Sequence, residues 1–382
     1  MNPVETLETA KATNPLKDLL KFGQSVWLDY IRRDLMTSGE LKRLINEDGL
    51  RGMTSNPAIF EKAISDSKLY DDILKSLSGK NLTPTAKFEA LAIRDIQDAA
   101  DGLRPVFDAS KGQDGFVSLE VSPLLARDTK GTIEEARRLH KAVNRPNVMI
   151  KVPGTTEGVP AFQQLTAEGI NINVTLLFAQ EMYEKIAEAY VAGLEQLAAN
   201  GGDVSKIASV ASFFISRIDS AIEKVVESKL KTANASDQAT LKSVLGKVAI
   251  ANGKLAYQSY LRIFGTDRWK KLAAKGAHTQ RVLWASTSTK NPAYSDVMYI
   301  EELIGPDTVN TIPPATLDAY RDHGHPRTTL TENIADAKKV MDTLPKVGIS
   351  MKEVTDKLTD DGVKLFSEAF DKLLKAIEKN SN

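Results

Sequence analysis

Eight short apolar runs, set apart by longer stretches rich in Lys, Glu and Ala, constrain this chain more than any other feature. They read SVWLDYI (25–31), GMTSN (52–56), FVSLEVS (116–122), VMIKVP (148–153), INVTLLF (172–178), IASVASFFIS (207–216), RVLWAST (281–287) and TVNTIPP (308–314). Several are continuously apolar rather than alternating, as parallel strands covered on both faces are. Between them lie amphipathic segments of helical character, among them GTIEEARRLHKAVN (131–144), EGVPAFQQLTAEG (157–169) and AQEMYEKIAEAYVAGLEQLAA (179–199). A strand and crossover helix repeated eight times predicts a closed α/β TIM barrel, (β/α)8. An open doubly wound sheet is the alternative, weakened because no G-x-G-x-x-G follows the first run.

The 382 residues suit one barrel domain with additions over 1–382. The barrel is expected at about 21–327, with an extra N-terminal helix over 1–20 and a cover of two or three C-terminal helices within about 328–380. The long connections at about 57–114 and 218–280 read as elaborated crossovers.

With 50 Lys plus Arg against 50 Asp plus Glu, the chain has no global field to attract nucleic acid or an anionic membrane, so an anionic ligand must be held by local groups. No cysteine is present, which excludes disulfides, thiolate nucleophiles and Cys-based metal sites. The acid-containing N-terminus lacks a signal-peptide core, and no run approaches the length of a membrane span. A cytoplasmic protein is expected, either monomer or homodimer. His140, His278, His323 and His325 fall outside the strand ends, and no metal is expected from them.

Barrels of this kind place their chemistry at the C-terminal ends of the strands. Six runs carry a polar interruption there: Asp29, Asn56, Glu120, Lys151, Thr175 and Ser212. Lys151 stands among Val148, Met149, Ile150 and Val152, where desolvation disfavours the ammonium and favours a nucleophilic amine. Such an amine can condense with a ketone to give an iminium, an electron sink for cleavage of the adjacent carbon–carbon bond. Asp29 and Glu120 supply carboxylates for the accompanying proton transfers. The residues alone also allow a snorkelling or ion-paired Lys151, a helix-capping Asp29 and a Glu120 that only pairs with Lys151.

Taken together, these segments resemble the transaldolase family, in its longer-chain branch. MTSNPAIF (53–60) resembles its Thr-x-Asn-Pro signature, and VMIKVPGTTEGVPAFQQLTAEGININVTLLF (148–178) resembles its Schiff-base lysine segment and the following Asn-x-Thr strand. VASFFISRID (210–219) and WASTSTKNP (284–292) resemble its phosphate-side segments. The resemblance implies Lys151 as the Schiff-base lysine, Asp29 as general acid/base, and Glu120 with Thr175 as holders of a proton-relaying water. It implies Asn56 and Ser212 as partners of the dihydroxyacetone hydroxyls, and Arg217, Ser286 and Lys290 as phosphate contacts. Lys290 stands where shorter members carry an arginine, with one extra residue before it. Related fructose-6-phosphate aldolases have Gln and Tyr where this chain has Glu120 and Phe214, which favours transfer over release. Sugar phosphates are thus the expected substrates, in the pentose phosphate route, with no cofactor. A lysine aldolase and a non-catalytic sugar-phosphate-binding barrel are the alternatives.

Overall fold

In a computed structural model, which describes residues 14–78 and 80–381, eight parallel strands close into a barrel in sequential order. The strands are β1 (Gln24–Asp29), β2 (Gly52–Thr54), β3 (Phe116–Glu120), β4 (Val148–Pro153), β5 (Ile172–Leu177), β6 (Ser209–Phe214), β7 (Arg281–Ala285) and β8 (Thr308–Ile312). Seven fall within the apolar runs and β1 begins one residue before its run, at Gln24, while β8 pairs with β1 to remove the sheet edges. Nearly all of their residues are buried, because helices cover the outer face while side chains fill the interior.

The register sets the level of the polar side chains. Glu120 of β3 pairs laterally with Lys151 of β4, and Lys151 pairs with Asn173 of β5. Between Val174 and Leu177 the β5–β6 register shifts, and Leu176 there adopts a left-handed φ of 59°. A bulge of this kind re-aims the neighbouring side chains at a strand end.

At the opposite end of the barrel, the Trp27 indole fills the interior over Gly52. A Cβ on Gly52 would lie 2.5 Å from the indole ring, so any larger residue would displace it. Trp27 Nε1 donates to Asp114 Oδ1 at 3.1 Å, and Ser25 Oγ donates to Asp114 Oδ2 at 2.6 Å. Arg281 closes the network, donating to Asp114 Oδ1 at 2.9 Å, to Ser25 Oγ at 2.9 Å and to the Gln113 carbonyl at 2.6 Å.

The long crossovers are multi-helical. Pro57–Ser65, Asp71–Ser78 and Pro84–Ala109 join β2 to β3, while Ser216–Leu230, Ala235–Ser243, Val248–Phe264 and Asp267–Ala273 join β6 to β7. Of the expected leading helix, the described residues contain one turn at Pro15–Asp18 and a 3-10 turn at Leu19–Phe22; the rest lies outside them. After β8 come helices Pro314–His323, Ile334–Thr343 and Met351–Ser381. Among the described residues no helix is long and apolar enough to cross a membrane.

The last helix does the covering. Its buried residues Phe366, Phe370, Leu373 and Ile377 recur at helical spacing, and each such burial stabilises the docked helix by roughly 1.5–3 kcal/mol. Phe370 meets Phe88 edge-to-face, with ring centroids 5.8 Å apart. Gly362 lets the helix approach the strained end of β5, since a Cβ there would lie 2.8 Å from the Leu176 side chain.

Candidate active site

The C-terminal mouth of the barrel opens into a cavity of about 600 Å³. Asp29, Asn56, Lys151, Thr175, Ser212, Phe214, Arg217, Ser286 and Lys290 all line it, so nine of the ten residues singled out in the sequence share one space. The tenth, Glu120, is behind the wall. It borders a small neighbouring hollow of about 30 Å³ together with Phe60, Phe88 and Phe370, and its carboxylate touches Lys151, which lines the main cavity.

Lys151 is 5% exposed. Its Nζ lies 3.2 Å from Glu120 Oε2, close enough for ion pairing but outside hydrogen-bond geometry, and donates to the Ser55 carbonyl at 2.9 Å. The pairing with Glu120 that the sequence left open is therefore present. It does not exclude proton transfer, because burial raises the Glu120 carboxyl above its ordinary range and Lys151 only partly offsets this. Burial likewise raises Asp29, against the lowering effects of Lys151 and of Thr54, whose hydroxyl donates to Asp29 Oδ1 at 2.7 Å. Both carboxyls are thus held at a readiness to take up protons that an exposed acid lacks. Asp29 ends β1 and caps no helix.

Among the described residues, Thr175 Oγ1 is buried with no hydrogen-bond partner, and Glu120 Oε2 is buried with the Lys151 ammonium alone beside it. Unmade hydrogen bonds in a buried site cost stability, so such atoms point to a use elsewhere. Ser212 Oγ donates to Asn173 Oδ1 at 2.7 Å, and Asn173 Nδ2 donates to Ser118 Oγ at 3.1 Å, a chain that fixes the Ser212 hydroxyl in the cavity wall. Asn56 caps helix Pro57–Ser65, its Oδ1 accepting from Ile59 N at 3.0 Å. Its carbonyl oxygen is therefore occupied, and its amide nitrogen remains the donor available to a ligand.

The cationic side of the mouth comes from the ends of β6 and β7. Arg217, in the first turn of Ser216–Leu230, lies over the Phe214 ring at 5.3 Å, and no hydrogen bond or ion pair among the described residues holds its guanidinium. Among the described residues Lys290 donates only to Ser288 Oγ, at 2.6 Å, and its basicity is lowered by burial and then by Arg217. Ser286 adopts a φ of 56°, and its Oγ is 2.9 Å from Ser216 Oγ. Left-handed backbone at a non-glycine residue costs of order 1 kcal/mol and persists where its surroundings require it.

Twelve further wall residues escaped sequence reasoning, among them Thr54, Lys62 and Phe366. Thr54 lies within the MTSN run and was legible as a strand-end hydroxyl. Lys62 is one lysine of a surface helix, and Phe366 comes from the tail, so neither carries a local signal of its place.

The chain matches the family described as Transaldolase/Fructose-6-phosphate aldolase over residues 26–377. It is 50% identical over 370 residues to a Trichodesmium erythraeum protein named Transaldolase, covering 96% of this chain and 97% of that one. A Nostoc protein named Transaldolase 2 is 49% identical over 371 residues, 96% of this chain and 97% of its own. A Thiobacillus denitrificans protein named Transaldolase is 46% identical over 364 residues, covering 95% and 99% respectively.

Proposed function

The chain belongs to the Transaldolase/Fructose-6-phosphate aldolase family, and from that premise we propose that it is a transaldolase of the pentose phosphate route. It moves a dihydroxyacetone unit from fructose 6-phosphate or sedoheptulose 7-phosphate to glyceraldehyde 3-phosphate or erythrose 4-phosphate. The observation that carries this reading is the buried Lys151 amine, 3.2 Å from Glu120 and in one cavity with Asp29.

Lys151 attacks the ketose carbonyl, and loss of water from the carbinolamine leaves an iminium. The protons moved in these steps pass to and from Glu120 through a water shared with Thr175, a role supported by the unpartnered Thr175 Oγ1 and by Glu120 Oε2 lying beside the Lys151 amine. Asp29 removes the proton of the hydroxyl next to the scissile bond, and the bonding electron pair moves into the iminium. An enamine stays on Lys151 and an aldose phosphate leaves. The acceptor aldehyde then takes that electron pair in a new carbon–carbon bond, and Asp29 returns its proton to the alkoxide. Hydrolysis of the new iminium frees Lys151. Asn56 and Ser212 hold the hydroxyls of the dihydroxyacetone unit, while Arg217, Lys290 and Ser286 hold the phosphate.

Transfer rather than release requires that the enamine be kept from protonation until the acceptor arrives. Phe214 and Phe366 on the cavity wall, and Glu120 held behind Lys151, support that reading. Borohydride added with fructose 6-phosphate should leave a reduced dihydroxyacetone adduct, read by mass, that Lys151→Met abolishes; an adduct on Lys151→Met would refute the assignment. Fructose 6-phosphate supplied alone separates the two reactions, since accumulation of free dihydroxyacetone marks an aldolase.

A further inference from the structure

The phosphate reading leaves one cation of the mouth without a role. Lys62 lies on the exposed side of helix Pro57–Ser65, the helix that Asn56 caps, yet it borders the same cavity as Arg217 and Lys290. Its ammonium has no ion pair among the described residues. Arg217 is similarly unpaired. Among the described residues, the only carboxylate on the cavity wall, Asp29, belongs to the reacting end. Three cations from three separate crossovers thus face one space with too little negative charge to balance them. Arg217 and Lys62 both act on Lys290 as repelling neighbours, which Asp29 partly offsets, and all three cations line the one cavity. Mutual repulsion of this kind is relieved when an anion enters.

We propose that Lys62 is a third phosphate-binding residue, closing on the substrate phosphate from the β2 side while Arg217 and Lys290 hold it from the β6 and β7 sides. A lysine suits this position: its flexible four-carbon stem carries a point charge to a phosphate already oriented by the planar guanidinium of Arg217. The inference rests on the transaldolase reading for the identity of the ligand, but its charge argument needs only a phosphoryl group.

Inorganic phosphate is the probe, used against the full-length protein. Lys62→Gln should weaken phosphate binding, read as its inhibition constant against the acceptor and as phosphate-induced thermal stabilisation, by about 3- to 10-fold. The KM for a phosphorylated acceptor should rise by a similar factor, Lys62→Arg should restore both values, and the effect should shrink as salt is raised. Borohydride trapping of unphosphorylated dihydroxyacetone on Lys151 should persist in Lys62→Gln. Unchanged phosphate inhibition and stabilisation in Lys62→Gln would overturn the proposal. So would an equal loss of dihydroxyacetone trapping, which would place Lys62 at the reacting end. If the unaltered protein traps no ketone, the transaldolase reading fails, while phosphate-induced stabilisation still tests Lys62.

Discussion

The two ends of the barrel hold their buried charges in opposite ways. At the base, Asp114 accepts from Ser25, Trp27 and Arg281, and Arg281 also donates to Ser25 and the Gln113 carbonyl, so both charged groups have partners. At the mouth, among the described residues, Glu120 Oε2 has only the Lys151 ammonium, Thr175 Oγ1 has no partner, Arg217 has no hydrogen bond, and Leu176 and Ser286 hold left-handed backbone. Both ends lie inside one closed sheet, so the difference is not one of scaffold. A charge fully satisfied by the protein contributes to folding and has little capacity for a ligand, whereas one left short contributes less to folding and binds what arrives.

Three substitutions would break or sharpen that contrast. Asp29→Asn is expected to have the largest effect: turnover should fall about 10²- to 10⁴-fold while borohydride trapping on Lys151 persists, because imine formation does not need this carboxylate. The melting temperature should not fall at neutral pH. Burial raises the Asp29 carboxyl, so its ionised form is favoured more in the unfolded chain than in the folded one, and a neutral amide removes that cost. A large loss of stability would mean that the mouth is built like the base.

Asp114→Ala is the converse. It strands Arg281 and the Trp27 N–H in a buried network and should lower unfolding free energy by about 3 kcal/mol in chemical denaturation, with kcat per folded molecule retained. A matching loss of kcat would show the base coupled to the chemistry.

The smallest effect concerns Asp219, on the same helix as Arg217. Its carboxylate accepts from Ala249 N and from the Tyr299 hydroxyl, each at 2.9 Å, and burial pushes its pKa from 3.8 up to about 6. A folded-state value above the unfolded one means that the native state binds the extra proton between these two values. The stability tied to that proton is complete below about pH 4 and is lost as pH rises to 6. Asp219→Asn should therefore gain on the unaltered protein by about 1–3 kcal/mol between pH 4 and pH 7, measured as the change in unfolding free energy. A difference independent of pH would remove Asp219 as a titrating support of the phosphate side.

The strands were legible because burial on both faces writes each of them as a compact apolar run, and a polar residue inside such a run stands out without knowledge of its neighbours. Asp29, Lys151, Thr175 and Ser212 were found that way. Glu120 was found by the same signal, but its place behind the cavity wall was not, since that depends on β3 and β4 registering Glu120 beside Lys151. Asn56 was visible as a candidate, while the loss of its carbonyl oxygen to helix capping appears only when Ile59 N is placed.

By itself, then, the sequence determined the eight-fold strand and helix repeat, the apolar setting of Lys151 and the identity of the groups around it, because periodicity and residue type are local properties of a chain. Tertiary structure alone decided which side chains share the mouth. Lys62 and Phe366 are 304 positions apart in sequence and come together only because the barrel closes and the last helix docks across its rim. Closure and docking are set by many weak contacts summed over the whole fold, and no single segment records that sum.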